Sequence, residues 1–272
     1  MDGISIVMAY HNRRELLIKT LNSINETKYD KKTLEIIIIN DCSSEEHNIN
    51  DLPIVYNSLN IKLFNVDKKD KDWVNACVTY NIGFSYIKYD KVIIQNPECY
   101  HNGDILSHTD KNLTDKNFLS YGCYSLSWDD TKNDKYEYIE LLNQKSEMAC
   151  SPGWYNHTEY RPLYYHFCSS ITKDNLEELN GFDEDYKDGI GYDDNEFVHR
   201  IRLLHLDMKI INDPFVFHQA HDSENYRHNS LTPKLEKDQK KKLFYENGEL
   251  FKNKTSKLLD HKIHNNKYYD IQ

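Results

Sequence analysis

The apolar positions of this chain come first in unbroken runs and then in spaced ones. ISIVMAY (4–10) is a continuous run of strand length, and after a polar break at His11 to Arg14 the residues Leu17, Leu21 and Ile24 recur three or four apart. The first pattern predicts a strand and the second one face of a helix, opened by Asn12 and Glu15 as a capping box. LEIIII (34–39) is a β-branched run of the kind buried on both faces of a parallel sheet, and it stops abruptly at Asn40-Asp41-Cys42-Ser43-Ser44. IKLFNV (61–66) predicts a third strand, the stretch from Trp73 to Ile87 a helix, and Val92 to Ile94 a fourth strand. Strands alternating with helices specify βαβ units, so the predicted fold class is α/β with a parallel sheet.

The second half is patterned less regularly. NFLSYGCYSL (117–126) predicts a strand, DKYEYIELLNQK (134–145) a helix, and GWYNHTEYRPLYYHF (153–167) an aromatic loop. Phe197, Ile201 and Leu204 fall four and three apart, which predicts a helix whose N-terminal end carries Asp193 and Asp194, with Gly181, Gly189 and Gly191 shortly before it. The last fifty residues are rich in Lys and Asn with weak periodicity, and they predict peripheral helices or a tail.

Bulk composition narrows the classes of function. Acidic residues outnumber basic ones by 44 to 34, a formal charge of −10, and no basic stripe interleaves with aromatics, so nucleic acid is not an expected partner. The six cysteines are scattered, without a zinc or redox spacing. No signal-peptide pattern opens the chain, and no apolar run approaches the roughly eighteen residues of a transmembrane segment. The expectation is a soluble cytoplasmic protein with reduced thiols.

The polar residues that interrupt this pattern gather where strands end: His11 and Asn12 after the first, Asp41 after the second, Asn96 and Glu98 after the fourth. In open parallel sheets the crevice outside the carboxyl ends of the strands is where ligands bind. Pro97 ends the fourth strand in a turn. Asp193 and Asp194 suit the first turn of a helix through its dipole, and an acid held there by a glycine-rich loop is also a candidate general base. Asp183, Asp185 and Gly189 suggest the start of a calcium loop, but the glycine and the closing acid are out of register for one. His218-x-x-His221 follows the apolar FVF; on a strand this spacing sends the two rings to opposite faces, so they are not expected to share a metal.

Taken together these segments resemble the GT-A glycosyltransferases, in particular the family-2 group with a β-1,4-galactosyltransferase-like C-terminal half. ISIVMAYHNR is similar to that family's first strand and nucleotide-binding loop, and IIIINDCSS to its second strand. Asn75 with Asn81-Ile82-Gly83-Phe84 resembles the helix beside the donor. HFCSSITK, NGFDEDY, GIGYDDNEFVHRI and VFHQAH follow in the family's order. The resemblance implies a GT-A fold with a mixed, mostly parallel central sheet over residues 1–222, a nucleotide-binding half (1–100), an acceptor-binding half (101–222) and a peripheral extension (223–272).

It further implies transfer of a hexosyl or N-acetylhexosaminyl group, with inversion, from a UDP-linked sugar to a glycan or protein acceptor. Ala9, Tyr10, Asn12, Asp41, Asn75 and Asn96 are then donor-side residues, Asp194 the base, and Asp193, Trp154 and Tyr155 acceptor-side residues. The family's Asp-x-Asp is replaced by Asn96-Pro97-Glu98, which leaves Glu98 and His218 to hold Mn²⁺ or Mg²⁺. The degraded Asp-x-Asp keeps open a catalytically silent GT-A domain that binds a glycan or protein partner. A nucleotidyltransferase is disfavoured, since AYHNRREL lacks a glycine-rich phosphate loop.

Overall fold

The computed structural model describes residues 1–136, 140–147, 151–221 and 237–257. In chain order the elements are β1 (Ile4–Tyr10), α1 (Arg14–Asn25), β2 (Leu34–Asn40), α2 (Leu52–Val55), β3 (Ile61–Asn65), α3 (Cys77–Phe84), β4 (Lys91–Gln95), β5 (Cys99–Asn102), α4 (Ile105–Asn112), β6 (Asn117–Ser125), α5 (Trp128–Lys132), β7 (Gly153–Asn156), β8 (Cys168–Thr172), α6 (Lys173–Leu179), α7 (Asp193–Leu203), β9 (Asp207–His218) and α8 (Lys237–Thr255).

The strands form one mixed sheet in the order β3-β2-β1-β4-β8-β6-β9-β5, with β7 paired to β6. The first four positions are parallel, as βαβ connections require. Beyond β4 the sheet turns antiparallel through β8, and β6 and β9 restore a parallel pair. The continuous apolar run of β2 is buried on both faces: Ile36 and Ile38 join the cluster under α1, and Ile37 and Ile39 the cluster under α3 and α7. Burying a side chain of this size contributes about 1.5–3 kcal/mol, and the alternation divides that contribution between two layers. On the α3 side the packing is close. A Cβ on Gly83 would stand 2.5 Å from Val7 Cγ1, so glycine lets the helix lie against β1.

Several local expectations are corrected. The capping box at Asn12 does not form; Asn12 has φ 50°, its Oδ1 accepts from Ser44 N at 2.9 Å, and α1 begins after Arg13 without a side-chain cap. The helix expected from Trp73 starts only at Cys77, because the Val74 and Asn75 amides donate to the Lys187 carbonyl and Asn75 Oδ1 accepts from Cys77 N. Residues 137–139 of the helix expected at 134–145 lie outside the described residues. The described part of that stretch is not helical: Gln144 O accepts from Trp154 N at 2.9 Å, which ties it to β7. The tail contains a 19-residue helix, α8, that packs on α7. Cys42, Cys77, Cys99, Cys123 and Cys168 are buried free thiols. Among the described residues no helix is long and apolar enough to cross a membrane.

Candidate active site

Pro97 does end β4, and the turn that follows builds the first part of the site. Cys99 N donates to Asn96 O, and β5 then runs antiparallel to β9 with Cys99 opposite His218. That register sets Glu98 beside the end of β9, where Gln219 donates to the Glu98 carbonyl from both its backbone N (3.2 Å) and its Nε2 (3.0 Å). The strand stops at His218. Ala220 N donates to Thr131 Oγ1 at 2.8 Å, and the chain leaves extended geometry before His221.

The expectation that His218 and His221 diverge is therefore wrong. Strand alternation does not apply past residue 218, and the two Nε2 atoms lie 3.2 and 3.5 Å from the same Glu98 oxygen, Oε1. One ligand atom from each of Glu98, His218 and His221 falls within 4.8 Å of the others, a donor set suited to a divalent ion. The other oxygen of Glu98 is held by Arg13, whose side chain is 5% exposed. Burial works to raise the Glu98 carboxyl, but Arg13 and hydrogen bonds from the two imidazoles hold it well below the usual carboxylate range. Burial, aided by the Arg13 charge, lowers His221 to about 4, so its ring is neutral near pH 7, as a metal ligand must be.

The second part of the site is the start of α7. Gly191 and Tyr192 both have positive φ, 67° each, and this left-handed pair aims the first helical turn into a cleft of about 200 Å³. Positive φ is strained for tyrosine, and such strain concentrates at functional sites. Asn75, Tyr80, Asn96, Tyr165, His166, Asp193 and Asp194 line the cleft. Asn75 Nδ2 donates to Asp193 Oδ1 at 2.8 Å, and Asn195 N donates to Asp194 Oδ1 at 2.8 Å. Burial, together with the Asp193 charge beside it, pushes the Asp194 carboxyl up to about 7. A carboxylate poised there can take a proton at neutral pH.

Asn96 joins the two parts. Its Oδ1 accepts from the Tyr80 hydroxyl at 2.9 Å and its Nδ2 donates to Glu98 Oε1 at 3.3 Å. On the expected nucleotide side, Asp41 Oδ2 pairs with Lys71, while Asp41 Oδ1 is buried with no hydrogen-bond partner among the described residues. Asn12 ties the β1 loop to the β2 loop through Ser43 and Ser44. Ala9 is half-buried against the α3 layer. Tyr10 does not fit the expected contact role: its side chain is fully buried and donates to His47 O at 2.7 Å, so it shapes the loop from beneath.

On the expected acceptor side the two aromatics separate. Tyr155 is half-buried with its ring 5.1 Å from that of His218, edge-on. Trp154 is 5% exposed and packed among Tyr124, Phe215 and Phe217, so it offers no stacking face; β7 pairs with β6 and turns the indole into that cluster. Arg13, Lys71, Tyr80, Tyr165 and His166 were missed by sequence reasoning. Arg13 follows β1 and Lys71 follows β3, 85 and 30 positions from the carboxylates they meet, and only the pairing of β1 with β4 and of β3 with β2 brings them together. A second cleft, about 370 Å³, passes Asn12, Arg13 and His221 toward Trp128, which is 53% exposed.

The glycosyl transferase family 2 model matches residues 5–167, and a model described as the N-terminal domain of galactosyltransferase matches residues 155–228. No curated protein matches the chain in sequence. Among solved structures, S. aureus TarS is similar at TM-score 0.59 and 14% identity, over 82% of this chain and 38% of that one. TarS 1–349 in complex with UDP-GlcNAc gives 0.62 and 15%, over 92% and 65%. A mannosyltransferase, PcManGT from Pyrobaculum calidifontis, in complex with GDP-Man and Mn²⁺, gives 0.56 and 14%, over 81% and 57%. The chain thus spans 38% of TarS and 57% of the mannosyltransferase. At these identities the likeness establishes the fold, which is GT-A.

Proposed function

Because the chain belongs to glycosyltransferase family 2, we propose that it transfers a sugar from a UDP-linked donor to an acceptor hydroxyl with inversion, using Asp194 as the base. The observation that carries this reading is the Asp193–Asp194 pair lining the cleft, with Asp194 raised to about 7. The ionised Asp194 accepts the proton of the acceptor hydroxyl as that oxygen bonds to the anomeric carbon. The bond from that carbon to the donor diphosphate breaks on the opposite face, and the electron pair leaves with the phosphate. General-base assistance of this kind contributes about 10²–10⁴-fold. Asp193, fixed by Asn75, orients the acceptor, and Tyr155 borders its path.

Asp41 Oδ1, a buried acceptor without a partner among the described residues, would suit the N–H of a pyrimidine ring that reached it, which supports a uridine donor. Asn12 contributes by holding the loops that flank the nucleoside, and Asn75 and Asn96 line the sugar side. Glu98, His218 and His221 would hold a divalent ion, and two imidazoles beside one carboxylate favour Mn²⁺ over Mg²⁺. When bound, such an ion supplies Lewis-acid neutralisation of the departing diphosphate. The acceptor class we favour is a glycan or protein hydroxyl.

The test is a panel of UDP-sugars scored for transfer and for slow hydrolysis, before and after EDTA treatment with Mn²⁺ restored. Turnover confined to one UDP-sugar and dependent on the ion is expected. The Arg13–Glu98 ion pair favours one competing reading, a catalytically silent domain that binds a glycan or protein, since an internal cation already occupies one oxygen of Glu98. Calorimetry with UDP discriminates: absence of UDP binding would support the silent domain.

A further inference from the structure

The segment that delivers the acid pair is held from two sides. On the cleft side the Lys187 carbonyl accepts from Val74 N at 2.8 Å and from Asn75 N at 2.9 Å. On the outer side stands α8, which lies beyond the residues matched by either family model. Asn247 of α8 is a buried amide, 4% exposed, whose Nδ2 donates to Gly191 O at 2.8 Å and to Tyr186 O at 3.2 Å. Those two carbonyls bracket the loop. Between them Gly189 approaches so closely that a Cβ would stand 2.1 Å from Asn247 Oδ1. Tyr192, the last residue before Asp193, packs its ring 4.9 Å from Phe244 and 5.7 Å from Phe251.

A helix that merely covered an apolar face would not need an asparagine at the centre of its contact. An amide that satisfies both backbone carbonyls at the ends of a loop fixes the loop's shape, because a buried carbonyl without a donor is costly. We propose that Asn247 is a positioning residue for the Asp193–Asp194 pair, and that α8 completes the active site as an outer clamp on residues 186–192. The inference rests on the reading of Asp194 as base. A displacement of about 1 Å at a reacting group costs about 100-fold in rate, so the clamp acts on turnover before it acts on donor affinity.

The experiment compares Asn247→Asp, which keeps the shape but turns oxygens toward the two carbonyls, with Lys254→Ala, which removes the ion pairs of α8 to Asp183 and Asp185 and the cation over the Tyr186 ring but leaves both Asn247 hydrogen bonds in place. Amide hydrogen exchange across residues 187–195 is measured in the full chain, together with kcat and KM for the UDP-sugar that the native protein turns over best. For N247D the expected result is at least tenfold faster exchange in that segment and a 10- to 100-fold lower kcat, with KM for the donor within twofold. K254A should lose thermal stability without losing kcat. Unchanged exchange in N247D, or faster exchange at an unchanged kcat, would overturn the proposal. Asp194→Asn run alongside keeps the two ideas apart: full turnover in D194N removes the base reading, whereas an inactive D194N beside an unimpaired N247D removes only the role of Asn247.

Discussion

Asn75 and Asp193 are 118 positions apart, yet the amide of the first donates to the carboxylate of the second at 2.8 Å inside the cleft. Asn75 also accepts from Cys77 N at the start of α3, so one side chain links that helix to the acid pair. Asn75→Asp replaces a donor with a like charge beside Asp193. The added negative charge disfavours ionisation of the pair, so the acid limb of the transfer rate should move up by about one pH unit. Loss of the buried hydrogen bond should also cost about 1–3 kcal/mol in urea unfolding. A rate profile that superimposes on that of the native protein would contradict the coupling.

Asp194→Asn should lower transfer by about 10³-fold while leaving UDP affinity within twofold, read by calorimetry. In the native protein the rate should rise with pH through a midpoint near 7. Stability should run the other way. The folded carboxyl titrates near 7 and the unfolded one near 3.8, so the folded state binds more protons in that window. Its contribution is fully present below about pH 4 and is lost as pH rises through 7. D194N, which cannot ionise, should therefore be more stable than the native protein at pH 8, on the order of 2 kcal/mol, with the difference shrinking toward pH 5. Thermal melts at the two pH values measure this.

Glu98→Gln removes the charge that Arg13 and both histidines share. Breaking a buried ion pair from one side costs about 3–5 kcal/mol, because the remaining charge is left uncompensated. The variant should melt well below the native protein and should lose any Mn²⁺-dependent rise in melting temperature. Glu98→Gln with Arg13→Met should recover part of the stability and none of the Mn²⁺ response.

A second buried pair, Glu196 with Arg200, supports α7 from below, and Arg200 also donates to Leu179 O at 2.7 Å and Gly181 O at 2.9 Å. Arg200→Met leaves the carboxylate and both carbonyls without their donor. It should destabilise by about 3–5 kcal/mol in urea unfolding. Because α7 carries Asp194 at its other end, the residual folded fraction should also show a reduced kcat.

The parts of this molecule that could be read from the sequence are those fixed by local pattern. Four consecutive isoleucines can be buried only between two layers, and Asp193-Asp194 followed by Phe197 and Ile201 can start only one kind of helix. His221 was misjudged because its direction depends on bonds from Gln219 to Glu98 and from Ala220 to Thr131, neither of which is local. The burial of Trp154 is not legible in the sequence, because an aromatic in a loop carries no mark of which way its strand will pair. Asn247 stood in a Lys-rich stretch with weak periodicity, and its role exists only once the glycine loop lies against it.

The Arg13–Glu98 contact bears on the order in which ligands arrive. One guanidinium cancels the one carboxylate among Glu98, His218 and His221, so this cluster offers a dication little net negative charge. On the function proposed above, a dication held there would draw most of its attraction from the donor diphosphate rather than from the protein. The nucleotide and its counterion should load as a unit, with Mn²⁺ heats measurable by calorimetry in the presence of UDP and weak in its absence.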